Sequence, residues 1–202
     1  MFYLPIKPTD VGELLRSSLV GLLIFSAAAQ AVEFNQVQND KSSVSFSYKQ
    51  SGIAMEGTFR KLAAKIAFDP TRASTASAQM DIDLTSIDTG SSEADEEAAG
   101  KLWFNSKVYP VAKFSSTGVK ALGENRFQAS GKLTIKGKTT DVTAPFTFKQ
   151  ETRSGKTVAV FDGGFVIKRL EYAIGEGLWA DVSAVANEIP IKFHITAIAA
   201  NP

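Results

Sequence analysis

The chain has 202 residues, a formal net charge of +1, one His and no Cys. This near-balance of charge leaves no strongly basic character to attract nucleic acid, which is bound through cationic side chains that release counterions. The lack of Cys excludes disulfides, thiol catalysis and Cys-ligated metals, so the fold must rest on its apolar core alone.

The first 31 residues have the pattern of a secretory signal peptide. Arg16 precedes an apolar run at residues 19–29, and residues 29–31 read Ala-Gln-Ala, an Ala-x-Ala cleavage pattern. About eleven apolar residues are too few to cross a bilayer core, which needs roughly 20. We expect a signal peptide at residues 1–31, a periplasmic mature domain at residues 32–202, and no integral membrane segment in that domain. A short N-terminal anchor or a buried core helix is the alternative.

Segments that alternate apolar and polar residues follow, which is typical of strands with one buried face. One helix is predicted at residues 92–103, where serines offer an N-cap and several acidic residues suit the positive end of the helix dipole. The pattern predicts one all-β domain, either an antiparallel up-and-down barrel or a sandwich. The eight predicted strands span residues 44–48, 58–68, 78–84, 111–122, 127–135, 142–148, 158–170 and 189–198.

The residues that could carry catalysis or bind a metal have ordinary explanations. His194 is expected on the solvent face of the last strand, and one His without Cys cannot build a Ser-His-Asp triad or a His-rich metal site. Asp81 and Asp83 occupy the polar face of a strand, and no segment near them or Asp88 follows the calcium-loop pattern. We therefore predict no catalytic residue, no metal and no cofactor.

Three large side chains leave two interpretations open. Arg169 ends an apolar strand and could form a salt bridge with Glu171 at the barrel rim, or contact the polar head of a bound amphiphile. Trp103 and Trp179 could fill the core or line the mouth of a lumen. Phenylalanines at every second position, interspersed with Gly and Ala, could pack a solid core or form the wall of a tunnel.

Short motifs also occur in a fixed order over residues 43–197. They are GTF at 57–59, SIDTG at 86–90, WF at 103–104, YP at 109–110, FSS at 114–116, GKLTIKG at 131–137, and Arg169 followed by YAIG at 172–175. This order resembles the YceI-like family of small secreted β-barrel proteins, which bind polyisoprenoid lipids. Residues 94–100 (ADEEAAG) depart from the family pattern, which has an Arg-Asp pair and a His there, and this departure concerns the ligand more than the fold.

The resemblance implies an eight-stranded antiparallel up-and-down lipocalin-like barrel with a short helix between strands. It implies a periplasmic binding protein, not an enzyme, that holds a polyprenyl phosphate or an isoprenoid quinone for transport, storage or sequestration, with Arg169 at the head group. Pairing into a homodimer is also compatible with the sequence. The alternative is a ligand-free structural or stress-related interaction barrel. The residues expected to line the lumen are Phe46, Phe59, Trp103, Phe114, Phe127, Leu133, Phe146, Phe165, Trp179, Ile191, Phe193 and Ile195.

Overall fold

The computed structural model describes residue 2 and residues 32–199. Every strand in it belongs to the unit Ala31–Pro202. The predicted signal peptide at residues 1–31 lies outside the described residues. Among the residues described, no helix is long and apolar enough to cross a membrane.

The described region is almost entirely antiparallel sheet with one α-helix, which confirms the predicted fold class. The elements are β1 (Phe34–Val37), β2 (Ser43–Gln50), β3 (Ile53–Phe59), β4 (Leu62–Ala67), β5 (Ser77–Asp83), β6 (Ile87–Asp88), α1 (Ser92–Ala99), β7 (Val111–Gly123), β8 (Arg126–Ile135), β9 (Lys138–Arg153), β10 (Lys156–Lys168) and β11 (Glu188–Ala199).

These eleven strands of the described region correspond to eight long ones, because three of the long strands are interrupted. From β7 to β11 each strand pairs with the next, while β11 pairs with both β1 and β2. β2 pairs with β3, β3 with β6, and β4 with β5, which itself pairs with β7. A bridge from Phe34 to Phe68 joins β1 to the chain just after β4. Strand pairing therefore continues around the whole sheet and joins its two edges through β1, as in an up-and-down barrel.

The predicted strand at residues 58–68 is interrupted between Phe59 and Leu62, and at the same level of the barrel the strand predicted at 78–84 ends at Asp83. Asp83 accepts hydrogen bonds from the amide and the hydroxyl of Thr85, at 2.9 and 2.6 Å, and starts the 3-10 turn Leu84–Ser86. The carbonyl of Ser86 then accepts the Arg60 amide at 2.9 Å, on the opposite strand. Local side-chain hydrogen bonds of this kind compete with the regular ladder, and period-two patterning does not register them.

The helix is shorter than predicted. α1 begins after Ser91, whose hydroxyl accepts the Ala94 amide at 3.4 Å, and it ends at Ala99 rather than at residue 103. The amide of Asn105 returns to the Gly100 carbonyl at 2.8 Å, and Asn105 has a positive φ of 48°. Residues 101–104 therefore form turns that close the end of the helix.

A phenylalanine cluster fills one part of the barrel. It consists of Phe34, Phe68, Phe127, Phe148 and Phe161, all of which are buried. The ring centre of Phe68 lies 5.0–5.2 Å from those of Phe127, Phe148 and Phe161, within the range of favourable aromatic pairs. The rings of this cluster therefore pack against one another inside the barrel.

The turn that follows Phe68 contains a buried carboxylate. Asp69 accepts hydrogen bonds from the Thr71 hydroxyl at 2.6 Å, the Thr71 amide at 2.8 Å and Arg72 Nε at 2.7 Å. These contacts hold the pKa of Asp69 below its ordinary value. The ionised carboxylate therefore stabilises the turn that follows β4.

Candidate functional site

A cavity of about 350 Å³ extends through the barrel between the sheet walls and α1. Its volume lies in the range of ligand pockets, about 300–1,000 Å³. Nearly all of its lining is aliphatic or aromatic, and Glu97 and Arg169 are the charged residues among the described ones that line it. The site is therefore suited to an apolar ligand.

The structure brings together eleven of the twelve residues that the sequence places in the lumen. Alternation along a strand identifies the inward face, so residues from seven different strands converge. Those that line the cavity are Phe46, Phe59, Trp103, Phe114, Leu133, Phe146, Phe165, Trp179, Ile191, Phe193 and Ile195.

Phe127 is the exception. It faces inward on β8 but lies in the phenylalanine cluster, where it is 5 % exposed and stacks on Phe146 with ring centres 5.5 Å apart. It therefore lies deeper in the barrel than the eleven residues that line the cavity. Period-two patterning gives the face of a residue but not its height along the barrel.

Several lining residues were missed by the sequence analysis. Tyr48 and Gln50 continue the inward face of Phe46 along β2, so alternation could have found them. Phe104 and Ile174 also line the cavity, but they belong to turns and irregular loops. Such segments have no periodicity from which an inward direction could be predicted.

Three glycines in the wall allow aromatic rings to lie against it. A Cβ atom on Gly57 would stand 2.3 Å from Phe46 Cζ, and one on Gly163 would stand 2.4 Å from Phe193 Cζ. The same arrangement places the Phe114 ring over Gly131. With any larger residue at these positions the rings would have to move off the wall, so the glycines keep the lumen open.

Arg169 is fully buried and holds the loop that follows β10. Its guanidinium is 1 % exposed, and it donates five hydrogen bonds to backbone carbonyls at 2.6–3.3 Å. Burial lowers its pKa below the ordinary value. The five acceptors are the carbonyl oxygens of Ile174, Gly175, Trp179, Val185 and Ala186.

This geometry differs from both expected contacts of Arg169. Within the described region it forms no ion pair with Glu171. A guanidinium has five N–H donors, and here every one of them is used by the protein, so none is left for a head group. A Cβ on Gly175 would stand 2.2 Å from Arg169 Nη1, which explains why a glycine with a φ of +81° occurs there.

The same loop is held from the opposite side by Lys136. Its ammonium group is almost fully buried and donates to the Ala173 carbonyl at 2.6 Å and to Glu176 at 2.7 Å. This contact lowers the pKa of Glu176. Lys136 lies in the hairpin turn between β8 and β9, so the tip of this hairpin fixes the loop over the barrel.

Trp103 and Trp179 lie together beside this loop and both line the cavity. Their ring centres are 5.3 Å apart, and the Arg169 guanidinium carbon lies 5.6 Å from the centre of the Trp103 ring. The Trp103 indole N–H donates to Glu97 Oε1 at 3.2 Å. The two indoles therefore lie where the apolar wall meets polar groups.

We call Tyr48, Gln50, Thr89 and Glu97 the polar end of the cavity. All four line it, and Gln50 and Glu97 are also exposed, so this end opens to solvent. Burial and the nearby Asp95 carboxylate raise the pKa of Tyr48, which keeps its phenol uncharged. This end offers hydrogen-bonding groups and a negative charge.

His194 lies outside the cavity. Its Nδ1 is 2.6 Å from Asp162 Oδ1, and its Nε2 is 3.4 Å from the Thr196 hydroxyl. The Asp-His-Thr array was not predicted, but Thr196 is completely buried and its hydroxyl donates to the Lys41 carbonyl at 3.1 Å. The array therefore has no accessible nucleophile.

The acidic residues considered from the sequence have structural partners. Asp81 pairs with Lys113 at 3.2 Å and Asp88 with Arg60 at 2.8 Å, both near the surface. Asp83 caps the turn described above. In the part of the chain that the structure describes, no three His, Cys, Asp or Glu residues are grouped so as to hold a metal ion.

Comparison with known proteins agrees with this architecture. The YceI-like domain profile matches residues 36–197. The chain is 25% identical over 194 residues to a UPF0312 protein of Azotobacter vinelandii, over 92% of this chain and 99% of that protein. The crystal structure of Burkholderia cenocepacia BcnA matches with a TM-score of 0.76 and 43% identity, over 80% of this chain and 99% of that one.

A more distant solved structure has the same fold. It is a polyisoprenoid binding domain from Saccharophagus degradans, with a TM-score of 0.62 at 18% identity, over 84% of this chain and 99% of that one. At this identity the likeness concerns the fold alone. Since the domain profile covers most of the chain, the protein belongs to the YceI-like family.

Proposed function

We propose that this protein binds a polyisoprenoid amphiphile inside its barrel and transports, stores or sequesters it in the periplasm. The observation that carries the proposal is the apolar cavity of about 350 Å³, whose wall consists of inward-facing strand residues. The related fold of the Saccharophagus degradans domain, described as polyisoprenoid binding, supports the choice of ligand class. The predicted signal peptide supports the periplasmic location.

The composition of the cavity wall matches what such a ligand needs. Transfer of an isoprenoid chain from water is favourable by about 0.8 kcal/mol per buried methylene, or roughly 3–4 kcal/mol for each five-carbon unit. Part of this gain offsets the loss of motion of a long chain on binding. An apolar wall therefore provides the affinity, and reactive side chains are not required.

Mass spectrometry of lipids extracted from the protein purified from its native periplasm tests the proposal. We expect a polyisoprenoid species in the native extract, and uptake of a polyprenol or an isoprenoid quinone by delipidated protein. Absence of lipid in both experiments would overturn the proposal and favour a ligand-free structural or stress-related interaction barrel.

A matched pair of variants on α1 links the bound lipid to this cavity. Ala98 lines the cavity, so Ala98→Trp places an indole in it, whereas Glu93 is exposed and does not line it. We expect A98W to retain much less lipid than the wild type, and E93W to retain as much. Circular dichroism checks that both variants are folded. Equal lipid retention by both would show that the lipid lies elsewhere.

A further inference from the structure

We infer that the polar end of the cavity selects an uncharged head group, such as an alcohol or a quinone, and disfavours a phosphate. The inference rests on the proposed function and narrows it to one head-group class. Three features of the cavity support it: Arg169 has no free N–H donor, the charge at the polar end is negative, and two neutral polar side chains at that end are available.

The first feature concerns the positive charge. Phosphate is normally bound by cationic or backbone N–H donors directed at its oxygens. Arg169 is the cation that lines this cavity in the described region, and each of its five N–H groups donates to a backbone carbonyl instead. The carbonyl dipoles that surround the guanidinium also offset its charge. A phosphate would therefore find no free N–H on this side chain.

The second feature is the negative charge of α1. Glu97 lines the cavity with its carboxylate, where it accepts the Trp103 indole N–H at 3.2 Å. Asp95 on the same helix accepts the Thr89 amide at 2.8 Å and the Thr89 hydroxyl at 2.7 Å, which places a second carboxylate at the polar end. A phosphate monoester carries a charge of about −1.5 to −2 at pH 7. A phosphate at the polar end would therefore be repelled by both carboxylates.

The third feature is a pair of neutral polar side chains, Tyr48 and Gln50, which line the same cavity as Glu97. Neither the Tyr48 hydroxyl nor the Gln50 side-chain amide has a hydrogen-bond partner among residues 32–199. A phenol and an amide can each donate to a carbonyl oxygen or exchange hydrogen bonds with a hydroxyl. Both residues follow Phe46 on the inward face of β2, so a tail along that wall brings its head to them.

Two lipids with the same tail isolate the effect of the head. A polyprenol and the polyprenyl monophosphate of equal chain length are titrated into delipidated protein. Quenching of Trp103 and Trp179, the two tryptophans of the chain, reports binding. We expect the polyprenol to bind about tenfold more tightly at low ionic strength, because like charges repel in a poorly screened site. The ratio should shrink as salt is added.

Two charge reversals on the same helix test the role of Glu97. Glu97→Lys replaces the lining carboxylate by an ammonium group, whereas Glu96→Lys makes the same change of net charge at an exposed residue that does not line the cavity. We expect E97K to shift the affinity ratio toward the phosphate by about tenfold, and E96K by about twofold or less. Tyr48→Phe should weaken polyprenol binding by about three- to tenfold through loss of one hydrogen bond.

The possible results separate this inference from the proposed function. If the wild type binds the polyprenyl phosphate as tightly as the polyprenol, the head-group inference is wrong while polyisoprenoid binding stands. If neither lipid binds, both are wrong. If E96K shifts the ratio of the two lipid affinities as much as E97K does, the net charge of the protein and not the polar end selects the head group. That result would overturn the role assigned to Glu97.

Discussion

Replacement of Arg169 by Met gives the sharpest test of how the loop over the cavity is held. Met keeps much of the apolar volume of Arg but donates no hydrogen bond. Three of the acceptors, the carbonyls of Ile174, Gly175 and Val185, are fully buried. Leaving a buried acceptor unsatisfied costs about 1–3 kcal/mol. The three unsatisfied carbonyls together therefore imply that the free energy of unfolding falls by about 3 kcal/mol or more. This is a large share of the 5–15 kcal/mol that is typical of a domain.

A second substitution at the same position separates the contribution of the hydrogen bonds from that of the positive charge. Arg169→Lys retains the positive charge, but an ammonium group has three donors and lacks the planar fork of the guanidinium. It can satisfy at most three of the five carbonyls, so we expect R169K to be less stable than the wild type and more stable than R169M. This order would separate hydrogen bonding from charge.

Urea unfolding, monitored by tryptophan fluorescence, measures the free energy of unfolding of each variant. If this free energy depends on urea concentration with the same slope in every variant, the same amount of surface is exposed on unfolding. Arg60→Met is the control, because Arg60 pairs with Asp88 at the surface with 65% of its side chain exposed. We expect Arg60→Met to lower the free energy of unfolding by about 1 kcal/mol or less. An R169M variant within about 1 kcal/mol of the wild type, or an R169K variant equal to it, would refute the reasoning.

Three further predictions concern the wall, the phenylalanine cluster and acid stability. Gly57→Ala should push the Phe46 ring off the wall and reduce the amount of lipid bound per protein, as measured by mass spectrometry; unchanged capacity would contradict this. Phe127→Ala should lower the free energy of unfolding by about 3–5 kcal/mol with little effect on lipid affinity, whereas Phe146→Ala should weaken lipid binding more. The reverse order, compared at equal folded fractions, would show that the cluster is misplaced. Asp69 has a folded-state pKa below that of the unfolded chain, so its stabilisation is present above about pH 4 and is lost as the pH falls through the folded-state pKa. Asp69→Asn should therefore be less stable than the wild type at neutral pH, with urea midpoints that converge in acid; a constant gap would contradict this.

The inward face of each strand was predictable because alternation is a local property of the strand, whereas the choice of a barrel over a sandwich came from the family resemblance. The faces of β8 and β11 follow directly from residues such as Leu133 and Ile191, since neighbouring side chains on a strand point to opposite sides. Strand breaks were not predictable in this way. The interruption at Ser86 depends on hydrogen bonds to Arg60 and Lys61 on a neighbouring strand, which is brought close only by the fold.

The sequence by itself determined the all-β class, the eight long strands and the inward face of the strand residues that line the cavity, because these follow from local patterning. Only the tertiary structure decided whether the barrel is hollow and what Arg169 does. The lumen stays open because Gly57 and Gly163 lie under rings from paired strands. Arg169 is saturated by carbonyls from a loop 5 to 17 residues further along the chain. Both outcomes depend on contacts between residues that are not neighbours in sequence, and local patterning carries no information about such contacts.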